Sequence, residues 1–256
     1  MDGAVDGERH GIGNDTVARI WHDHELKPWR VATFKISTEP HFEEKLVDVV
    51  GLYLDPPERA VVFSFDEKTQ WQALNRTQPS LPMTPGRAGT TTHDYKRNGT
   101  TDLFAALNLT TGEVAHDTRK RHTGRDVLEF FKLINLHVLR DLDLHVVLDY
   151  NLSAHKAPEI KRWLAHPKRA RWHLHFTPTS SSWLNLEAWF KLLTERRLRR
   201  GVFNSVVVLV DAIDMWVEHR NNDPKPFIWH KTAEEIITKV KRGRTALTEA
   251  KSVTHH

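Results

Sequence analysis

Ala60-Val61-Val62-Phe63-Ser64-Phe65-Asp66 and Leu144-His145-Val146-Val147-Leu148-Asp149 are two short, nearly apolar runs, and each ends in an aspartate. Runs of this length, bounded by charge and turn residues, read as strands buried on both faces. A third and weaker run, Trp172 to Phe176, leads through Pro178-Thr179-Ser180-Ser181-Ser182 into an amphipathic segment carrying Glu187. Carboxylates delivered from two strand ends and a nearby helix can meet at one edge of a sheet. Hard oxygen ligands converging there suit Mg²⁺ or Mn²⁺, the ions that clamp a phosphodiester during in-line attack. Either aspartate alone could simply cap the turn that follows it. The matched pair on two core strands is what points to chemistry.

Outward from these runs, the apolar spacing sets the remaining elements. Helices are expected over 17–24, with Asn14-Asp15-Thr16 as cap chemistry, and over 40–54, stopped by Asp55-Pro56-Pro57. Thr69 to Thr92 is Pro- and Gly-rich, with too few apolar residues to be regular throughout. Strands over 100–109 and 113–119 flank the turn Thr110-Thr111-Gly112 and form a hairpin. Helices follow over 123–139, 157–165, 183–200, 206–221 and 232–242, with strands at 144–149 and 172–176. Three locally joined strands, a helix, then strand-helix-strand-helix is the order of a ribonuclease-H-like α/β fold: a mixed five-stranded sheet with helices on both faces. The expected organisation is a disordered stretch over 1–13, a helical remnant and linker over 14–45, the main domain over 46–247 and a polar tail over 248–256.

The 256 residues hold 37 Lys and Arg against 33 Asp and Glu, a net charge of only +4. Its distribution matters more than its sum. Lys191 to Arg200 carries five cations and one anion, and a second cluster spans Lys161 to Arg171. Each could be a solvated helix face; two of them beside the acidic edge favour phosphate contact. With no cysteine, disulfides and thiolate metal sites are excluded. The 17 histidines bring no His-Glu-x-x-His pattern, so structural zinc is not expected. The start is acidic and lacks an apolar core, and no stretch approaches membrane-spanning length. A soluble, cytoplasmic protein is expected, associated with the nucleoid when on DNA.

The stretches S-F-D-E-K-T-Q (64–70), L-N-R-T-Q-P-S-L-P-M-T-P-G-R-A-G-T (74–90), H-D-Y-K-R-N-G-T-T (93–101), L-F-A-A-L-N (103–108), H-F-T-P-T-S-S-S-W-L-N (175–185) and N-D-P-K-P-F-I-W (222–229) closely resemble bacterial insertion-sequence transposases. The group is the insertion-sequence-630 one, related to the mariner elements, and the likeness runs from about Asn14 to Leu247. It implies a DDE-type catalytic domain that cleaves DNA and transfers strands, with two Mg²⁺ or Mn²⁺ ions. Asp66, Asp149 and Glu187 match the triad positions. The family also implies helix-turn-helix units that bind element ends; here only D-T-V-A-R-I-W (15–21) and L-K-P-W-R-V (26–31) resemble the last of them. A simple packing helix over 17–21 is the alternative.

The chain departs from that pattern twice. Tyr150 stands between Asp149 and Asn151, where the family places Asn directly after Asp. Only Leu186 separates Asn185 from Glu187, where the family has two residues. Glu187 keeps its spacing to Trp189, so the preceding loop is expected to absorb the difference. Arg76, Arg87, Lys96 and Arg97, in loop-like segments after Asp66, together with Lys156, Arg196 and Arg197, are candidate DNA contacts or else solubilising residues. The expected partner is double-stranded DNA, as element ends and target; a homodimer is left open, and neither membrane nor small-molecule substrate is expected. The rival functions are a catalytically silent, truncated DNA-binding remnant and a nuclease on RNA–DNA hybrids.

Overall fold

The computed structural model describes residues 11–28, 30, 35–78, 81–90, 92–149 and 153–254. Residues 1–10 of the expected disordered start, Trp29, and the pair Tyr150 and Asn151 lie outside them. Two compact units divide the chain, 1–36 and 37–256. The described part of the first holds one helix, α1 (Asn14–Asp23), whose N-cap is Gly13 and not the expected Asn14-Asp15-Thr16. Those three residues form its first turn, where the Asp15 charge suits the helix dipole. Of the expected apolar face, Val17 is buried while Ile20 is exposed.

The second unit opens with α2 (Phe42–Leu54), so a boundary at 45/46 falls inside a helix whose Phe42 and Leu46 are both buried. Five strands follow in the order β3-β2-β1-β4-β5. They are β1 (Ala60–Arg76), β2 (Tyr95–Asn108), β3 (Val114–Arg119), β4 (Asp143–Asp149) and β5 (Trp172–Thr177). β1, β2 and β3 form an antiparallel meander, and β4 and β5 run parallel to β1. The helices are α3 (Gly124–His137), α4 (Pro158–Leu164), α5 (Glu187–Leu193), α6 (Val206–Asn221) and α7 (Ala233–Thr254). Thr123 and Asp126 start α3 with a reciprocal capping box. Among the described residues no helix is long and apolar enough to cross a membrane.

Side chains alternate across the sheet, so each buried strand feeds two cores. Val62, Leu103, Ala105, Leu107 and Val147 pack with α2, α5 and α6. Phe63, Phe65, Phe104, Val146 and Leu148 pack with α3 and α4. Helices thus cover both faces, as the element order implied. Phe65 is the hub of the second core, with ring centroids 5.4 Å from Phe130 and 5.5 Å from Phe131.

Three elements differ from expectation. Regular structure does not stop at Asp66: β1 and β2 continue as a two-stranded ribbon as far as Arg76 and Tyr95. Irregularities between Lys68 and Trp71 and between Gln72 and Leu74 interrupt the register, so the apolar alternation breaks there. Gln70 takes a left-handed φ of 56° at the first of them, and its N–H donates to the buried Asp102 carboxylate at 2.7 Å. The last helix runs through Thr254; in the segment expected as a polar tail, Glu249, Ala250 and Lys251 are good helix formers that let it continue. The single helix expected over 183–200 is broken, as described below.

The hairpin turn behaves as its residues dictate. Gly112 has φ 80°, and a Cβ there would come within 2.0 Å of the Lys225 carbonyl oxygen, so only glycine fits. Phe65→Ala is expected to lower unfolding free energy by about 3–5 kcal/mol, read by urea denaturation at neutral pH.

Candidate active site

The β1–β4 ladder pairs Ala60 with Asp143 through Ser64 with Val147, and no further pairs follow. Each strand stays bonded on its other side: Asp66 pairs with Ala105 of β2, and Asp149 with Thr177 of β5. A fork therefore opens between the two central strands, and both aspartates stand two residues beyond its crotch. A cleft of about 680 Å³ lies there, lined by Asp66, Asp149 and Glu187 together with Lys68, Ser182, Lys191 and Arg199.

Glu187 reaches this cleft because the segment before it is pinned to β1. Ser182–Leu184 makes a single tight turn, and Asn185 is extended. The Asn185 amide donates to the Phe65 carbonyl at 2.7 Å, and its oxygen accepts from Ser64 Oγ at 2.5 Å. The Tyr53 hydroxyl holds the neighbouring Leu184 carbonyl at 2.6 Å. Glu187 is the first residue of α5, with Ser182 Oγ donating to its carboxylate at 3.2 Å. Asn185 and Leu186 thus lie outside the helix. The shortened spacing falls in irregular backbone, while Glu187 and the buried Trp189 share α5.

α5 passes at Thr194 into a wide turn, Thr194–Leu198, closed by the Arg199 N–H on the Thr194 carbonyl at 2.7 Å. Arg196 and Arg197 are exposed on that turn and do not line the cleft; Lys191 and Arg199 do. The other candidate cations are dispersed. Arg76 donates to the Thr92 carbonyl at the ribbon's end, Arg87 is exposed in a small loop paired with Thr84, and Lys96 and Arg97 are exposed at the start of β2. Lys156 lies 5.8 Å from the Phe176 ring centre.

Burial is the largest influence on Asp66, followed by the Glu67 charge. With a further push from Asp149, they raise its pKa from 3.8 to about 7, against the Glu67 N–H and His155. Burial and two neighbouring negative charges thus both disfavour the ionised form of Asp66. Among the described residues no three acidic or imidazole side chains lie close enough together to enclose a metal ion. The carboxylates form an open edge instead. Its donors are hard oxygens, and the Glu67 and Asp149 charges add to that of Asp66, which together fit a divalent cation.

Two participants were not legible as such in the chain. Glu67 points to the face opposite Asp66 and is buried against His155, with Nε2 to Oε2 at 2.9 Å. Burial alone would lower the His155 pKa, but the bond and charge of Glu67 outweigh it and hold the imidazole above its usual value. A lone His in S-A-H-K carries no periodic signal. Only the pairing with a charged residue inside an apolar strand hints at it.

A carboxylate-edged cleft at the fork of a mixed five-stranded sheet is the candidate active site. The model of the DDE superfamily endonuclease matches residues 61–209, more than half of the chain, and the chain belongs to that family. No curated protein sequence matches it. The Mos1 transposase paired-end complex with left transposon end has a similar structure, with a TM-score of 0.58 at 14% identity over 89% of this chain and 68% of that one. The Mos1 strand transfer complex gives 0.58 at 13% identity over 94% and 72%. The Mos1 mariner paired-end complex with Mn gives 0.57 at 13%, over 94% and 71%. At these identities the likeness establishes the fold.

The raised Asp66 pKa has a definite sign. Folding favours the protonated acid, so its contribution to stability is full below pH 3.8 and is lost as pH rises through about 7. In metal-free protein, Asp66→Asn is expected to raise the melting temperature at pH 8, with the gap closing toward pH 4. Asn185→Ala is expected to cost about 1–3 kcal/mol by leaving buried partners unpaired. Chemical denaturation of the variant reads this directly.

Proposed function

We propose that this chain is the catalytic domain of a DNA transposase, cleaving DNA and transferring strands, and that Asp66, Asp149 and Glu187 are its metal-holding carboxylates. The observation that carries the reading is the fork between β1 and β4. It sets two aspartates of a DDE-family sheet level with each other and opens toward Glu187. When bound there, divalent ions such as Mg²⁺ or Mn²⁺ would activate the attacking oxygen and stabilise the leaving one. The protein's own part is to present carboxylate oxygens from two rigid strands at the fork, and to fix Glu187 through Asn185.

Lys191 and Arg199 stand where a phosphodiester entering the cleft would meet positive charge. They would position the backbone by charge and carry no sequence information. Placement in the insertion-sequence-630 group rests on the motifs at 74–90, 175–185 and 222–229. Mos1 is seen in a paired-end complex with DNA. By the same reading, this chain would act as a homodimer on two double-stranded ends.

The test is nicking of supercoiled plasmid and of element-end DNA with Mg²⁺ or Mn²⁺. Asp66→Ala and Asp149→Ala are expected to abolish cleavage and leave the fold intact by circular dichroism; retained cleavage refutes the assignment. Gel shifts on the same DNA separate the alternative, since binding without nicking by wild type marks a silent DNA-binding copy. Arg199→Ala is expected to weaken binding evenly across sequences and to flatten the dependence of log affinity on log salt by about one charge.

A further inference from the structure

Past Ser64 and Val147 the two strands that carry the aspartates share no backbone pairing. Something else must set the width of the fork. On the sheet face away from the cleft, the His155 imidazole spans it. Nδ1 lies 2.9 Å from the Asp149 carbonyl oxygen, and Nε2 lies 2.9 Å from Glu67 Oε2. The first contact is on the backbone of one aspartate; the second is on the residue adjoining the other. A carbonyl only accepts, so Nδ1 carries a hydrogen. On the Glu67 side the proton can sit on either partner, and the bond persists in both cases.

The ring itself is fixed. Both His155 and Glu67 side chains are fully buried, and Phe65 packs against the imidazole at 5.3 Å between ring centres. A buried ionisable pair is a poor way to gain stability, because hydrophobic replacements of equal volume often do as well or better. Glu67 Oε1 also finds no hydrogen-bond partner among the described residues, a further penalty. The arrangement therefore serves position better than it serves stability.

We propose that His155 is a positioning residue, a strut between β1 and β4 that holds the Asp66 and Asp149 carboxylates at the separation a shared divalent cation needs. The inference rests on the metal-holding role proposed above. Losing the strut lets the fork relax, so the carboxylates must be drawn together at the moment of binding, and affinity falls. Partners that orient metal ligands in this way are worth about 10–100-fold in affinity.

The experiment titrates the full chain with Mn²⁺ alone, following free Mn²⁺ by electron paramagnetic resonance, next to melting curves without metal. His155→Asn can keep the bond to Asp149, and His155→Gln the bond to Glu67, but neither spans both. Each is expected to fold and to bind Mn²⁺ about 10–100-fold more weakly than wild type. Nicking should be lost at limiting Mn²⁺ and recovered at excess, which a general loss of fold would not produce. A folded variant whose affinity for Mn²⁺ falls by less than about tenfold, the lower bound of that range, overturns the proposal. If neither single variant folds, Glu67→Leu/His155→Phe removes both polar groups together. Weak binding by that folded double variant supports the strut, whereas wild-type binding, or failure to fold, overturns it in favour of a purely structural pair. Wild type that does not bind Mn²⁺, or Asp66→Asn that binds as well as wild type, sinks the carboxylate site itself.

Discussion

The parallel ladder between β1 and β4 ends at Ser64 and Val147, and the geometry of the cleft follows from that stop. Upstream, two apolar strands with cores on both faces have little freedom. Downstream, each continues bonded to a different neighbour, so the sheet splits where its charges begin. The split exposes Asp66 and Asp149 to a shared space without removing either from a rigid strand. It also leaves negative charge close together in a poorly solvated place, which is why Asp66 holds its proton to about pH 7. A cation is the natural complement of such a site.

Around the fork, three elements convert sheet geometry into a site. Asn185 uses its side-chain amide to dock a loop onto Ser64 and Phe65, directly before Asp66. That single residue ties the register of α5 to the register of β1. Behind the sheet, His155 does the corresponding work for β4. On the open side, Lys191 and Arg199 line the cleft with positive charge.

How far the chain could be read follows from where burial is strong. The strands at 60–66 and 144–149 and the helix around Phe130 and Phe131 are set by apolar spacing, and both cores form on them. The ribbon beyond Lys68 was not legible, because its residues are polar and its register slips twice. The break in the helix expected over 183–200 was hidden as well: Leu184, Trp189 and Leu193 are all buried, so they keep an apolar pattern across the interruption. Asp66 and Asp149 were visible because each closes an apolar run, although only Asp149 ends its strand. The Glu67–His155 pair was not, since its partners lie 88 positions apart and neither stands out alone.

The wide turn at Thr194–Leu198 has one more implication. Continued as a regular helix from Glu187, the chain at about 100° per residue would bring Leu198 round over the cleft and carry Arg199 away from it. The extra residue accommodated in the turn moves Leu198 into the core and lets Arg199 face the carboxylates. A one-residue insertion in an ancestral helix would have this effect without disturbing anything before or after it. Relatives with a regular helix here should align with a single gap between positions 194 and 198, their cleft-facing cation one place earlier in the numbering.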